Sequence, residues 1–560
     1  MKISGIKHLR NLPGLDWTKK PAGRRKLALL VILFASLILF NYTNFKGQNW
    51  VIHPDDYEAY VIGKQLKETG NLAREEPLNE MFDNPVFTPM GAIYSEGRVL
   101  PTRAYGIYII SALGLFLGEQ GPFYLMPIFG LLCVLFSYKL AKLMIGEKGA
   151  LLTAFLFGFS GPFVYWNNML YPNVPGVTFL VIGLYFIVKI AYGTNTGLRY
   201  YILAAVFFSF AVWIRYEQVL FIVLLTPIVF RYRYAFKAKH LLVGLATLAL
   251  LLSPILVMNN ALYANPFGTG YTKHMQSGEN VESEPGNSEA GAKSNLRNIF
   301  DRFFGQNIHP DIYRVTRNAK NYIFDLFPML AIAGVFGMFL MLLSRQRSRV
   351  IFFCLFLIAA IWTYDTCGGY HWGEGSVFLG ATYVRYMLIV YLVLAICAPV
   401  LIERVRSVIN PNAYRTLLAF FIISFLLLQA IMLMGSGGLR ETREMKADFK
   451  HIDDVAGELP ENAVNVASLY SKVIVDRKIL NTDLVKSGED IDTDKLIHYI
   501  QSLLQEGREV YLFESAWHKS SYLDIAGLII KGEEGMAVEK MEDSYHGGYT
   551  DDRYRVYLTQ

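Results

Sequence analysis

The sequence contains little cysteine and little charge. Only 4 of its 560 residues are cysteines. Cys133, Cys354 and Cys397 lie inside long apolar runs, and Cys367 lies at the edge of one. This spacing argues against a disulfide framework and against a metal site built from clustered thiolates. Charged residues make up 18% of the chain, below the roughly 25% of ordinary soluble proteins, which argues against a soluble protein.

The sequence contains many long apolar runs between its charged segments. A helix needs about 20 apolar residues to cross a bilayer, and we count about eleven suitable runs. They lie near residues 26–42, 122–141, 150–168, 173–191, 199–215, 217–231, 239–258, 322–344, 349–365, 382–402 and 415–435. We therefore predict a polytopic all-α membrane domain over residues 1–436. The apolar segment 104–118 is short for a span, so we expect it to form a helix in the outer interface.

Basic residues predict the orientation of these spans. Lys and Arg concentrate on the cytoplasmic side of membrane proteins, and a basic stretch over residues 19–26 precedes the first run. The N-terminus is therefore expected in the cytoplasm, with two external loops over residues 43–121 and 259–321. Because topology explains the net charge of +6, no nucleic-acid partner is expected.

The composition changes after residue 436. Strand patterns occur near 463–470, 473–475, 509–513 and 554–558, and helical patterns near 494–506 and 522–530. We predict a soluble, extracytoplasmic α/β domain over residues 437–560. We identify no glycine-rich phosphate fingerprint and no paired-acid catalytic motif in it, and both a structural cap and an acceptor-contacting domain fit its sequence.

Two adjacent acids, Asp55 and Asp56, follow the first apolar run in the stretch His53-Pro-Asp-Asp-Tyr57. One interpretation is a general base at the membrane surface. The other is an N-cap for a helix over residues 57–68, since an Asp side chain accepts hydrogen bonds from the first free N–H groups of a helix. The residues alone leave both interpretations open.

Three segments carry a resemblance to a known family. They are Asp55-Asp56 ahead of Leu66-Lys-Glu-Thr-Gly70 together with Phe87-Thr-Pro-Met-Gly-Ala-Ile-Tyr-Ser-Glu-Gly-Arg-Val-Leu-Pro-Thr-Arg-Ala-Tyr-Gly106, then Asn259-Asn-Ala-Leu-Tyr-Ala-Asn-Pro-Phe-Gly-Thr-Gly-Tyr271, and Val384-Arg-Tyr-Met-Leu-Ile-Val-Tyr391. The chain resembles lipid-carrier-dependent glycosyltransferases of the GT-C fold, especially archaeal relatives of the dolichyl-phosphate-mannose protein mannosyltransferases. The likeness covers residues 27–435 and leaves out the C-terminal domain.

The resemblance implies a membrane enzyme that transfers a hexose or pentose from a polyprenyl-phosphate carrier of the dolichyl-phosphate type. The acceptor would be a protein, a glycan or a lipid on the outer side of the membrane. Asp55 matches the family's first-loop aspartate, and Asp56 replaces the glutamate that commonly follows it. Because phosphate is a good leaving group, one carboxylate base is enough for an inverting displacement.

Cationic and aromatic residues at the outer ends of the spans are candidates for substrate binding. The candidates for the carrier phosphate are Arg385, Arg215, Arg103 and Lys273, since guanidinium and ammonium groups pair strongly with phosphate. Tyr386 and Tyr271 belong to the same motifs. His371, in Tyr370-His-Trp-Gly373, is either a sugar contact or part of an interfacial anchor. The arginines could instead snorkel or pair with Glu217 or Glu374.

A metal is left open. The segment Asn167-Asn-Met-Leu-Tyr-Pro-Asn-Val174 lacks the second acidic motif of some relatives, so no cofactor is required, although a divalent metal is possible. The main rival to an enzyme is a lipid or polysaccharide transporter, which predicts no dependence on Asp55. An oligosaccharyltransferase would need a second external acidic motif and a larger C-terminal domain.

Overall fold

The computed structural model describes residues 22–45, 49–193, 197–270, 312–343, 353, 356–357, 378–467, 474–475, 478–482, 485–487, 490–515, 536–541, 544–546 and 549–558. The α-helices of these residues, in chain order, are α1 (Ala22–Phe40), α2 (Pro54–Thr69), α3 (Gly106–Leu115), α4 (Gly121–Gly158), α5 (Gly161–Asn167), α6 (Asn173–Ala191), α7 (Leu198–Ile214), α8 (Gln218–Val223), α9 (Thr226–Arg231), α10 (Ala238–Tyr263), α11 (Ile312–Ala319), α12 (Pro328–Leu343), α13 (Thr382–Tyr386), α14 (Leu388–Arg406), α15 (Pro411–Met434), α16 (Leu439–Gly457) and α17 (Thr493–Gln505).

The strands are short and lie outside the apolar runs. They are β1 (Arg74–Glu75), β2 (Ile93–Ser95), β3 (Arg98–Leu100), β4 (Val464–Ala467), β5 (Lys478–Asn481), β6 (Lys486–Ser487), β7 (Asp490–Ile491), β8 (Val510–Ser515), β9 (Met536–Lys540), β10 (Ser544–His546) and β11 (Tyr549–Leu558). Within residues 43–121 they form the antiparallel sheet β1-β3-β2. In the C-terminal segment they form a six-stranded sheet, in which β4 runs parallel to β5 and β8, while β11 runs antiparallel to β8.

The predicted apolar runs fall on helices, but the helices do not all have the length of a span. Among the described residues, five helices are long and apolar enough to cross a membrane, or up to six if a bent pair counts as one span. The backbone at Gly146 breaks α4 between two predicted runs, and another run divides into α8 and α9. Most of the run 349–365 lies outside the described residues. About eleven spans therefore stays a prediction.

Helices α12 and α14 pack closely in the membrane body. A side chain at Gly334 would collide with Leu394, and one at Gly337 would collide with the carbonyl oxygen of Cys397. Small residues let helix backbones approach closely. Van der Waals packing then holds the helices together, because lipid provides no hydrophobic driving force for their association. Helices α4, α6 and α14 also pack together, and α1 lies against α4.

Helix α1 separates two polar regions, one near each of its ends. Near its start, Arg25 donates to Glu147 over 3.0 Å, and Lys142 lies 3.4 Å from the same carboxylate. Beyond its end, the chain continues to α2 and the adjacent acids. The 19 residues of α1 rise about 28 Å, close to the thickness of a bilayer core. The basic residues and the two acids therefore lie at opposite ends of α1.

The predicted orientation can be tested by chemical labelling. In a cysteine-free background, Ser277→Cys and Gln505→Cys should react with a membrane-impermeant maleimide on intact cells, because both follow spans that exit at ends without basic residues. Lys142→Cys is the control and should react only after permeabilisation. Labelling of the first two variants only in permeabilised cells would reverse the orientation.

The C-terminal segment packs on the loop over residues 43–121. The backbone N–H of Asn481 donates to the carbonyl of Val86 over 3.0 Å, and the Phe82 ring lies 4.4 Å from the Tyr499 ring. Helix α17 and strands β4, β8 and β11 occur where the sequence pattern placed them, whereas the helix expected near 522–530 lies outside the described residues. The C-terminal segment therefore packs directly against the loop that carries Asp55.

Candidate functional site

The three segments that carry the family resemblance meet at the loop over residues 43–121. Tyr105 donates to the side-chain oxygen of Asn259 over 2.5 Å, and Tyr263 donates to the carbonyl of Pro101 over 2.7 Å. Gly270 lies so close to the backbone of Pro101 and Thr102 that a side chain there has no room. The second segment thus packs on the first, and the third reaches it through Arg385.

Asp55 lies between two arginines. Its Oδ1 accepts from Nη2 of Arg103 and its Oδ2 accepts from Nη1 of Arg385, both over 2.6 Å. The Asp55 side chain is 19% exposed, and both arginines are more deeply buried. The structure therefore brings together three of the residues that the sequence analysis selected.

The two arginines change the acid strength of Asp55. Burial by itself would raise the pKa of this carboxyl group. The guanidinium groups of Arg103 and Arg385 outweigh burial and hold the pKa of Asp55 well below its usual range. In this arrangement Asp55 is a fully ionised but weak base, because a low pKa makes proton uptake unfavourable.

Asp56, one residue further on, faces the backbone at the start of α2. Its carboxylate accepts from the N–H of His53 over 2.7 Å and from the N–H of Ile52 over 3.2 Å, and it is completely buried. Burial raises the pKa of Asp56, although these two donors oppose the rise. Helix α2 begins at Pro54 with His53 as its N-cap, and not at residue 57, so neither acid is the N-cap itself. Asp56, at the third helical position, accepts from the N–H of the N-cap residue as in a capping box, whereas Asp55 lies among the cations.

Glu58 was not selected from the sequence, yet it anchors Arg103. The completely buried Glu58 carboxylate accepts from the N–H of Thr102 over 2.7 Å, from its hydroxyl over 2.8 Å and from the hydroxyl of Tyr108 over 2.6 Å. It also forms an ion pair with Nη1 of Arg103. One feature of the sequence could have revealed it, since residues three apart on a helix share a face, and Glu58 follows Asp55 by three positions.

Arg385 and Arg215 share an aromatic surface. The Cζ atoms of both guanidinium groups lie 5.1 Å from the centre of the Tyr386 ring. Arg385 also lies 4.7 Å from the Tyr171 ring and 5.7 Å from the Trp166 ring, while Arg215 pairs with Glu217 over 3.1 Å. Arg215 therefore has the carboxylate partner that the sequence analysis considered as an alternative, and it stays within reach of the same aromatic ring as Arg385.

A buried lysine lies on the side of Asp56. Lys446, on α16, is completely buried and donates to Oδ1 of Asn49 over 2.5 Å and to the carbonyl of Asn168 over 2.6 Å. The Lys446 ammonium also interacts electrostatically with Asp56. Lys446 thus ties α16 to the chain that leads into α2. Sequence reasoning missed it because an isolated lysine on a polar helix is usually exposed.

Lys446→Met should destabilise the protein. Methionine keeps most of the volume but leaves the oxygens of Asn49 and Asn168 without this donor, and each buried unsatisfied group costs about 1–3 kcal/mol. Thermal unfolding in detergent should show a clearly lower midpoint. Arg440→Met, on the same helix, removes an exposed ion pair with Glu444 and should change little. Equal midpoints for both variants and the wild type would contradict the role given to Lys446.

Some sequence candidates lie outside the described residues. They are Lys273, Tyr271 and His371. Within the part of the chain that the structure describes, no group of three His, Cys, Asp or Glu side chains could hold a metal ion. Asp55 and Glu58 are each engaged by arginine, and Asp56 is engaged by backbone donors. These contacts give no independent support to a metal.

Comparisons with known proteins agree with the family resemblance that these three segments carry. Residues 101–258 match the family model described as dolichyl-phosphate-mannose-protein mannosyltransferase. ArnT from Cupriavidus metallidurans bound to undecaprenyl phosphate matches in structure with a TM-score of 0.51 and 11% identity, over 94% of this chain and 97% of that one. The chain has the GT-C fold. The resemblance inferred from the three segments is confirmed.

A second group of similar structures also has the GT-C fold. The archaeal oligosaccharyltransferase AglB from Archaeoglobus fulgidus, in complex with an inhibitory peptide and a dolichol-phosphate, matches with a TM-score of 0.50 and 12% identity. That match covers 86% of this chain and 69% of AglB. No curated protein matches the chain in a sequence search. Identities this low establish the GT-C fold and leave the activity to be argued from the site.

Proposed function

We propose that this chain is a membrane glycosyltransferase that transfers a sugar from a polyprenyl-phosphate carrier to an acceptor hydroxyl on the outer side of the membrane. The observation that carries the proposal is the Asp55 carboxylate held 2.6 Å from both Arg103 and Arg385 where the three motif segments meet. The match to the mannosyltransferase family model supports it, and so do the lipid phosphates bound in two structures that share the GT-C fold.

The proposed reaction is a single inverting displacement. The acceptor oxygen attacks the anomeric carbon of the sugar while the bond from that carbon to the phosphate oxygen breaks. The electron pair of that bond leaves with the polyprenyl phosphate, and the acceptor proton passes to Asp55. No separate acid is needed, because the leaving phosphate is stable as an anion.

Arg385 and Arg215 are assigned to the carrier phosphate. A guanidinium group offers planar pairs of donors that fit phosphate oxygens, and it is strongest where water is scarce. Tyr386 keeps the two guanidinium groups on one aromatic ring, and the rings of Tyr171 and Trp166 also lie near Arg385. Arg103, held by Glu58, stays beside the base.

A transfer assay tests the proposal. The full-length protein is reconstituted in liposomes with a panel of polyprenyl phosphates that carry radiolabelled hexoses or pentoses, and a membrane extract from the native host supplies acceptors. At least one donor should lose its label and yield free polyprenyl phosphate. The rival transporter predicts a different result, in which a labelled donor crosses the liposome bilayer intact and no bond to phosphate is broken.

A further inference from the structure

In the proposed reaction Arg385 can pair with two anions, the Asp55 carboxylate and the carrier phosphate. The structure contains the pair with Asp55. Its Nη1 donates to Asp55, and its Nη2 donates to the hydroxyl of Tyr386 over 3.2 Å. Its buried Nε has no hydrogen-bond partner among the residues that the structure describes. A buried donor without an acceptor costs free energy, so this guanidinium group is suited to accept a further anion.

The two arginines beside Asp55 differ in how firmly they are held. Arg103 is held on its second nitrogen by Glu58, which in turn is fixed by Thr102 and Tyr108. Arg385 has no second carboxylate among the described residues and instead lies against Tyr171, Trp166 and Tyr386. Aromatic faces attract a cation without fixing one direction, so the Arg385 head can shift across them at small cost.

We propose that the carrier phosphate takes Arg385 away from Asp55, so that Asp55 becomes able to accept a proton only after the donor has bound. Arg385 would turn Nη1 and Nε toward the phosphate oxygens, while Arg103 stays with Glu58 and keeps Asp55 in place. The inference rests on the proposed function and adds an order to it, with the donor before proton transfer.

Moving Arg385 from Asp55 to the phosphate would make Asp55 a better proton acceptor. An Asp55 oxygen paired with Arg385 is a poor acceptor for the proton, because the adjacent guanidinium charge favours the ionised carboxylate. Once Arg385 pairs with phosphate, Oδ2 of Asp55 is exposed to the acceptor hydroxyl. The negative phosphate nearby then strengthens Asp55 as a base, since a like charge favours the protonated form.

Carrier binding to variants at Asp55 tests the inference without any transfer step. If Asp55 and phosphate compete for Arg385, Asp55→Asn should bind a polyprenyl monophosphate more tightly than the wild type, by about tenfold. Asp55→Ser is a second charge-removing variant in case the first is poorly folded, as judged by size-exclusion chromatography. Affinity is measured by microscale thermophoresis of the full-length protein in detergent.

The matched control is Glu147→Gln. It also removes one carboxylate charge from an arginine pair, but at the opposite end of α1, and its affinity for the carrier should equal that of the wild type. Equal or weaker binding by both Asp55 variants would overturn the competition and leave the carrier proposal in place. Failure of the wild type to bind polyprenyl monophosphate would overturn the carrier proposal and the competition together.

Discussion

Sugar transfer should fall by about 10²–10⁴ in Asp55→Asn, the range expected when a positioned general base is lost. Asparagine has nearly the same size, and its side-chain oxygen can still accept from Arg103 or Arg385. It cannot take the proton from the acceptor. The release of polyprenyl phosphate from a labelled donor, measured at equal amounts of folded protein, gives the rate.

The neighbouring acid supplies the comparison for this variant. Asp56→Asn removes the same charge one residue away, where the contacts are those of a helix cap to the N–H groups of His53 and Ile52. Such a change costs about 0.5–2 kcal/mol of stability and should leave most of the transfer in the folded protein. The reverse result, with transfer kept in Asp55→Asn and lost in Asp56→Asn, would assign the base to Asp56.

Arg385→Lys should weaken use of the donor by about 10- to 150-fold, although the charge is kept. Lysine replaces a planar set of donors by a single ammonium group, so at least one charge-assisted hydrogen bond to phosphate is lost, worth about 1.5–3 kcal/mol. The stacking on Tyr171 and Tyr386 is weakened as well. The ratio kcat/KM for the labelled donor measures the effect.

A similar arginine elsewhere in the chain controls for the loss of stacking. Arg199 lies 4.8 Å from the ring of the next residue, Tyr200, and donates to its hydroxyl over 2.9 Å, as Arg385 does with Tyr386. Arg199→Lys should therefore leave donor use unchanged. If Arg385→Lys behaves in the same way, the phosphate contact belongs to Arg215 or Lys273.

Much of the fold could be predicted from the pattern of apolar residues. Helices α6, α7, α10, α14 and α15 occur on predicted runs because the bilayer demands about 20 apolar residues in a helical segment. The motifs around Asp55, Asn259 and Arg385 also identified the GT-C fold, because they could be compared residue by residue. The number of spans could not be settled in this way, since breaks such as Gly146 depend on local backbone geometry within an apolar stretch.

The sequence by itself determined the membrane class and the short set of charged residues in which a site could be sought. Only the tertiary structure separated Asp55 from Asp56, because consecutive residues on a helix point about 100° apart and only contacts reveal which direction is occupied. It also brought Arg385 to Asp55 across 330 positions of the chain, and it showed that Glu58 and Lys446 are buried. Pairing over such distances follows from helix packing, which no local pattern of residues encodes.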